Sequence, residues 1–232
     1  MMSDFAEDGY VRLVDNLGDE LTIVNAARAS FAKESNELSE KDIKLIKFLV
    51  KHRHDSTLRH NVMTFEVKAP LMIARQWYKH AIASTHLDDQ FGWNESSRRY
   101  ITENNSYYLP HWDEWRYAAD DRKQGSSDRE MGKDLGVRLS LLMSRHIDKS
   151  EEIYNAALAE GIAPEQARLF LPAYALNVNW RWTVSLNAVL HFIDLRKHES
   201  AQSEIRKYAD EVERVVRQIY PNVMEAWNER MV

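Results

Sequence analysis

Hydrophobic positions along this chain repeat with two different periods. Tyr10–Val14 alternates apolar and polar side chains, and Asn61–Lys68 (NVMTFEVK) combines β-branched and aromatic residues with partial alternation, so both are predicted as strands. Elsewhere the period is helical. Ser39-Glu40-Lys41-Asp42 has the form of a helix cap, and Ile43, Ile46, Leu49 and Val50 follow on one face, which predicts an amphipathic helix over Ser39–Lys51. Pro70 suits a first helical position. In Pro70–His80 a stripe forms from Leu71, Ala74 and Trp77 or Tyr78, while Arg75 with Lys79 and Gln76 with His80 are i,i+4 pairs facing elsewhere. Ala81–Arg99 has no clean period and reads as a long loop, and Arg122–Asp128 (RKQGSSD) is a second polar break. Further helices are expected over Arg129–Glu160, from Pro164 to Leu171, over Ala173–Arg196 and over Glu199–Tyr220, ending before Pro221. With no internal repeat, the pattern predicts an α+β fold in which a small sheet is packed with many helices.

Composition narrows the picture. The length of 232 residues suits one domain over 1–232, and 44% hydrophobic residues with only 7 Gly and 5 Pro supply a core without long linkers. A formal net charge of -5 argues against a polynucleotide backbone as the main partner, since that requires a basic surface, but it leaves room for a small anionic ligand in a local basic pocket. The start, MMSDFAEDGY, is acidic and lacks the apolar stretch of a leader, and no apolar run approaches the ~20 residues that would span a bilayer, so a cytoplasmic protein without membrane contact is expected. The chain has no cysteine, which excludes disulfides, thiolate metal sites and a cysteine nucleophile.

The chemistry concentrates in Ala74–Tyr100, ARQWYKHAIASTHLDDQFGWNESSRRY. Arg75, Gln76, Lys79, His80, Glu95, Ser96, Ser97, Arg98 and Arg99 offer the donors and acceptors that a phosphate-and-uracil ligand requires, with guanidinium forks suited to phosphate. Taken singly, Lys79 and His80 also fit as cations at a helix C-terminus, and Arg98 and Arg99 as solvated side chains or partners of Glu95. His52 with His54, or His80 and His86 with Asp88 and Asp89, are close in sequence but lack a recognised metal-ligand spacing, so no metal is expected. Trp112, Trp115, Trp180, Trp182 and Trp227 read as core or subunit-contact residues rather than ligand platforms.

In combination, ARQW, His80-x-Ile82-Ala83-Ser84 and Asn94-Glu95-x-Ser97-x-Arg99-Tyr100 resemble the signature of the flavin-dependent thymidylate synthases, the ThyX family. The resemblance continues through Ala26–Phe31, His52–Ser56, Phe65–Pro70, Glu165–Leu169, Trp182–Val184, Phe192–Arg196 and Ala201-Gln202. It implies a small antiparallel sheet packed with helices, a homotetramer, and methylation of dUMP with FAD as cofactor and NADPH and 5,10-methylenetetrahydrofolate as co-substrates. By the same resemblance Gln76, Trp77, Lys79, Glu95, Ser96, Ser97, Arg98, Arg99, Arg168 and Arg196 bind dUMP, with Arg196 and Ser97 catalytic. Ser30, Ser56, Lys79, His80, Ala81, Glu95, Ser185, Asn187 and His191 would contact FAD. The missing cysteine agrees with this, because the flavin-dependent route needs no thiolate added to the uracil ring.

Several positions depart from the family. Its Arg-His-Arg triplet is Lys79-His80-Ala81 here, and a lysine cannot form the planar fork of arginine. Nine residues, Thr85–Trp93, lengthen the spacer between Ser84 and Asn94; this loop either covers the flavin or folate with Phe91 and Trp93 or is a surface excursion anchored by a buried Trp. Arg59 stands where the family has an acid, and Ser185, Asn187 and His191 replace Asn, Arg and Asn. These changes keep two alternatives open: flavin-dependent C5-hydroxymethylation of a pyrimidine deoxynucleotide, and a non-catalytic nucleotide-binding homologue.

Overall fold

A computed structural model describes residues 2–6, 9–81, 92–96, 105–119, 125–127 and 129–230, the first of these stretches as backbone. In chain order the elements are β1 (Met2–Ala6), β2 (Gly9–Leu17), α1 (Glu20–Arg28), α2 (Glu40–Lys51), β3 (Val62–Pro70), α3 (Leu71–Trp77), β4 (Gly92–Glu95), α4 (Lys133–Ala159), α5 (Pro164–Ala167), β5 (Asn177–Ser185), α6 (Leu186–Lys197), α7 (Ser203–Ile219) and α8 (Pro221–Glu229). Short 3-10 turns occupy Ala29–Phe31, Asp55–His60 and Arg168–Phe170. The fold is α+β, as the periodicity predicts. Among the described residues, no helix is long and apolar enough to cross a membrane.

The strands form one antiparallel sheet in the order β1-β2-β3-β5-β4. Period-2 alternation decides its faces. On β3, Met63, Phe65, Val67 and Ala69 are buried, and on β5 so are Trp180, Trp182 and Val184, with Phe65 directly opposite Trp182. The other face is polar: Thr64 and Thr183 share a 3.0 Å hydroxyl hydrogen bond, and Glu66 accepts from Tyr10 Oη at 2.9 Å and Arg12 Nη2 at 2.8 Å.

The buried face carries an aromatic cluster centred on Trp77. Its ring stacks on Phe192 of α6 at 4.2 Å and meets Trp180 and Trp182 edge-on at 5.5 Å each, geometries that favour the opposed ring quadrupoles. Helix starts follow from local chemistry. Ser39 caps α2 through Asp42 N–H, and the Asp42 side chain returns a 2.9 Å bond to Ser39 N–H while pairing with Arg28. Buried Glu20 accepts from Val223 N–H at 2.9 Å and Asn222 Nδ2 at 2.6 Å, tying α1 to the first turn of α8.

Two expectations need correction. Ala173–Arg196 is not one helix: β5 occupies Asn177–Ser185, because Trp180, Trp182 and Val184 alternate into the core, and only then does Ser185 accept from Ala188 N–H to start α6. The supposed loop Ala81–Arg99 contains β4, held by pairing with β5 from Gly92↔Thr183 to Glu95↔Trp180. The helix before Pro221 does end there, α7 stopping at Ile219, and Pro221 opens a further helix, α8. The remaining helix, α4, runs for 27 residues and buries only Gly136 and Ser150. Residues 105–119 form a strap along it: Tyr107 Oη and Asn105 Nδ2 reach Glu151, Trp115 Nε1 donates to Ser140 Oγ at 2.9 Å, and Ser140 Oγ donates to Pro110 O at 2.8 Å.

Candidate active site

Arg196 sits in the last turn of α6, where the helix dipole favours a cation. Phe192 and Ile193 of the same helix are buried in the aromatic cluster and fix its rotation. Its Nε donates 2.9 Å to His80 Nε2, and the described residues give its half-buried guanidinium no carboxylate. Burial alone lowers its pKa. The result is a positive charge held in place and, among the described residues, not cancelled.

His80 is held on every side. Its N–H donates to Trp77 O at 2.8 Å, its carbonyl accepts from Trp182 Nε1 at 3.1 Å, and its ring meets Phe192 edge-on at 5.0 Å. Only 8% of the residue is exposed. Burial, then the neighbouring Arg196 and His191, push its pKa down to about 4, so near neutral pH the imidazole is uncharged and accepts at Nε2, with its proton on Nδ1.

The remaining predicted residues are distributed unevenly. Gln76 Nε2 donates to Gln202 Oε1 at 2.6 Å, which fixes its amide beside the start of α7. Lys79 is exposed with its ammonium 5.5 Å from the Tyr78 ring centroid. Glu95, exposed on β4, accepts 2.9 Å from Trp93 Nε1, and Trp93 stacks on Trp180 at 5.2 Å, so this part of the lengthened spacer is anchored on the aromatic cluster. Ser96 donates its backbone N–H to Asn179 O at 2.8 Å and leaves its buried Oγ without a partner. Ser97, Arg98, Arg99 and Tyr100, and the loop from Ile82 to Phe91, lie outside the described residues.

Arg168 is not brought to Arg196. It lies exposed on its 3-10 turn against α4 and α5, with Nε donating 3.3 Å to Glu165 O. Three residues assigned by the resemblance are buried. Trp77, with 0% exposure, is the centre of the aromatic cluster. Ser185 is also fully buried and its hydroxyl caps α6, and Asn187 is buried in the first turn of that helix. Spacing located these residues but could not show which way they face. Ser30, Ser56 and His191 are exposed, and Ala81 is half-buried.

Sequence reasoning passed over two supports: Gln202 as the holder of Gln76, and the Trp182 indole on the His80 carbonyl. Non-local pairing alone reveals both. A cavity of about 1040 Å³ lies between the strap, α4 and α7, lined by Tyr107, Tyr108, Trp112, Ser140, Glu204 and Tyr208. None of the predicted site residues lines it, and its charged groups satisfy one another, Arg116 with Glu204 and Lys207 with Glu114. Among the described residues, no group of three or more His, Asp or Glu is placed to hold a metal.

Fold and site together define a class: an α+β protein that presents a fixed, uncancelled guanidinium at a helix end beside an antiparallel sheet. The family model described as Thymidylate synthase complementing protein matches residues 12–222. The flavin-dependent thymidylate synthase of Thermosipho africanus is 34% identical over 95% of this chain and 91% of its own length, and that of Thermus thermophilus 35% identical over 97% and 78%. A similar solved structure is that of PolB, a UMP/dUMP methylase from Streptomyces cacaoi, bound with 5-Br dUMP: TM-score 0.81 and 31% identity over 96% of this chain and 95% of that one. The chain therefore belongs to the flavin-dependent thymidylate synthase family and is an enzyme of that family.

Proposed function

We propose that the enzyme methylates dUMP to dTMP in the cytoplasm, with FAD as cofactor, 5,10-methylenetetrahydrofolate as carbon donor and NADPH as reductant. The observation that carries this reading is the uncancelled charge of Arg196. A fixed cation in a partly desolvated setting stabilises negative charge that develops on a pyrimidine ring as C5 becomes nucleophilic, and it does so without reorganising solvent. Gln76, Lys79, Glu95, Ser96, Ser97, Arg98 and Arg99 hold the nucleotide, together with Arg168. Family membership and the likeness to a UMP/dUMP methylase support the substrate.

The chain's donors fit a dinucleotide flavin. Lys79 and His191 are exposed, Ser30 and Ser56 offer free-standing hydroxyls at the surface, and Arg59 has a buried Nε with no hydrogen-bond partner. These residues would hold FAD, with Arg59 and Lys79 answering its diphosphate charge in place of the family's second triplet arginine. When bound in its reduced form, flavin supplies the hydride that completes the methyl group.

A homotetramer is part of the reading. Arg168 stands against α4 and α5 rather than on α6 with Arg196, and a second copy would bring the two to one nucleotide. The surface around Arg168 is apolar and open, with Leu169 81% and Tyr174 69% exposed. Leu141 and Leu142 of α4 are also exposed.

The test is an anaerobic absorbance titration of the protein with FAD, then NADPH and dUMP. A flavin band that bleaches on reduction, with dTMP formed once the folate is added, is the expected result; no flavin bound at saturating FAD overturns the reading. Arg196→Ala should lower turnover roughly a hundred- to a thousand-fold with the fold intact.

A further inference from the structure

We propose that His80 is the positioning residue for Arg196: it aims the guanidinium by one edge while leaving its charge and its remaining donors to the ligand. The inference rests on the reading of Arg196 given above. A guanidinium carries five N–H donors in a rigid fork. A carboxylate in the place of His80 would take two of them and cancel the charge. An imidazole that accepts at a single nitrogen takes only Nε–H, at 2.9 Å, and so orients the group without neutralising it.

The setting of His80 suits that task and no cationic one. Its backbone is tied at both ends, to Trp77 O and to Trp182 Nε1, and Phe192 meets its ring edge-on, so Nε2 has a fixed direction. With 8% of the residue exposed, the ring has little surface to give to a flavin phosphate. Phe192 stands four residues before Arg196 on α6. The side chain that meets the His80 ring is thus buried on the same helix that carries Arg196. Two elements distant in sequence, the end of α3 and the end of α6, meet at this one hydrogen bond.

The test is a double-mutant cycle in the FAD-loaded enzyme, read by calorimetric dUMP binding and by turnover. His80→Leu should weaken dUMP binding about five-fold in the natural background and less than about two-fold in Arg196→Ala, the signature of coupled residues. His80→Gln, whose amide oxygen can accept near the same point, should recover most of the loss. Equal losses in both backgrounds, or a His80→Leu enzyme with natural dUMP affinity and turnover, overturn the proposal. If the unaltered enzyme binds no dUMP, it is the proposed function that fails; if Arg196→Ala is harmless, it is the role of Arg196. A thermal melt of each variant separates loss of positioning from loss of fold.

Discussion

The sheet with α3, α6 and α7 and the limb made of α4, the strap and the Arg168 turn follow opposite rules. In the first, Trp77, Trp180, Trp182, Phe65 and Phe192 are fully buried, and the cluster fixes both partners of the Arg196–His80 bond. In the second, a 27-residue helix buries two residues, while Leu141, Leu142, Leu169, Phe170 and Tyr174 stay exposed. Exposed large apolar side chains are what an interaction surface is made of. The contrast teaches that precision in this protein comes from within the protomer, whereas the limb keeps its large apolar side chains in the open.

Three measurements break or sharpen that contrast. The largest effect is expected from Trp77→Ala, which empties the centre of the cluster and should cost about 3–5 kcal/mol in a denaturant melt, taking dUMP binding with it. A cost under ~1 kcal/mol would show that the cluster does not organise the site. Next is pH. His80 has a folded pKa of about 4, below its ordinary 6.5, so the unfolded chain binds the extra proton between those values. Stability is therefore full above pH 6.5 and declines as pH falls through 4, by roughly 3 kcal/mol in all. His80→Gln should flatten that decline; identical pH profiles of melting temperature would remove His80 as its source. The smallest effect on the protomer is expected from Leu142→Asp, within about 0.5 kcal/mol. The same change should lower the mass seen by light scattering, and an unchanged assembly would take Leu142 out of the subunit contact.

What was legible in the sequence follows the range of the interactions. Ser39 and Asp42 announced α2 because a cap is local, and β3 showed in its own alternation. β4 is four residues long and exists through pairing with β5, so no window around Gly92–Glu95 could contain its cause. Residues Asn177–Ser185 read as part of the helix that follows them, since seven of the ten positions over Leu186–Leu195 are apolar and hide the change of period. The site behaved likewise. Its motif singles out Gln76, His80 and Glu95, and a separate resemblance over Phe192–Arg196 adds Arg196, but spacing cannot tell Trp77 in the core from Lys79 in solvent two positions later.

Gly136 gives the strap a further meaning. A Cβ at that position would lie 2.0 Å from the carbonyl oxygen of Trp112, so the strap rests on the bare backbone of α4. One absent carbon thus sets the height of the cavity wall. Any other residue at position 136 must raise Trp112 and its neighbours, and the volume of about 1040 Å³ beneath them would change with it. Position 136 acts as a spacer between two layers, and relatives carrying a larger residue there would have a chamber of different depth.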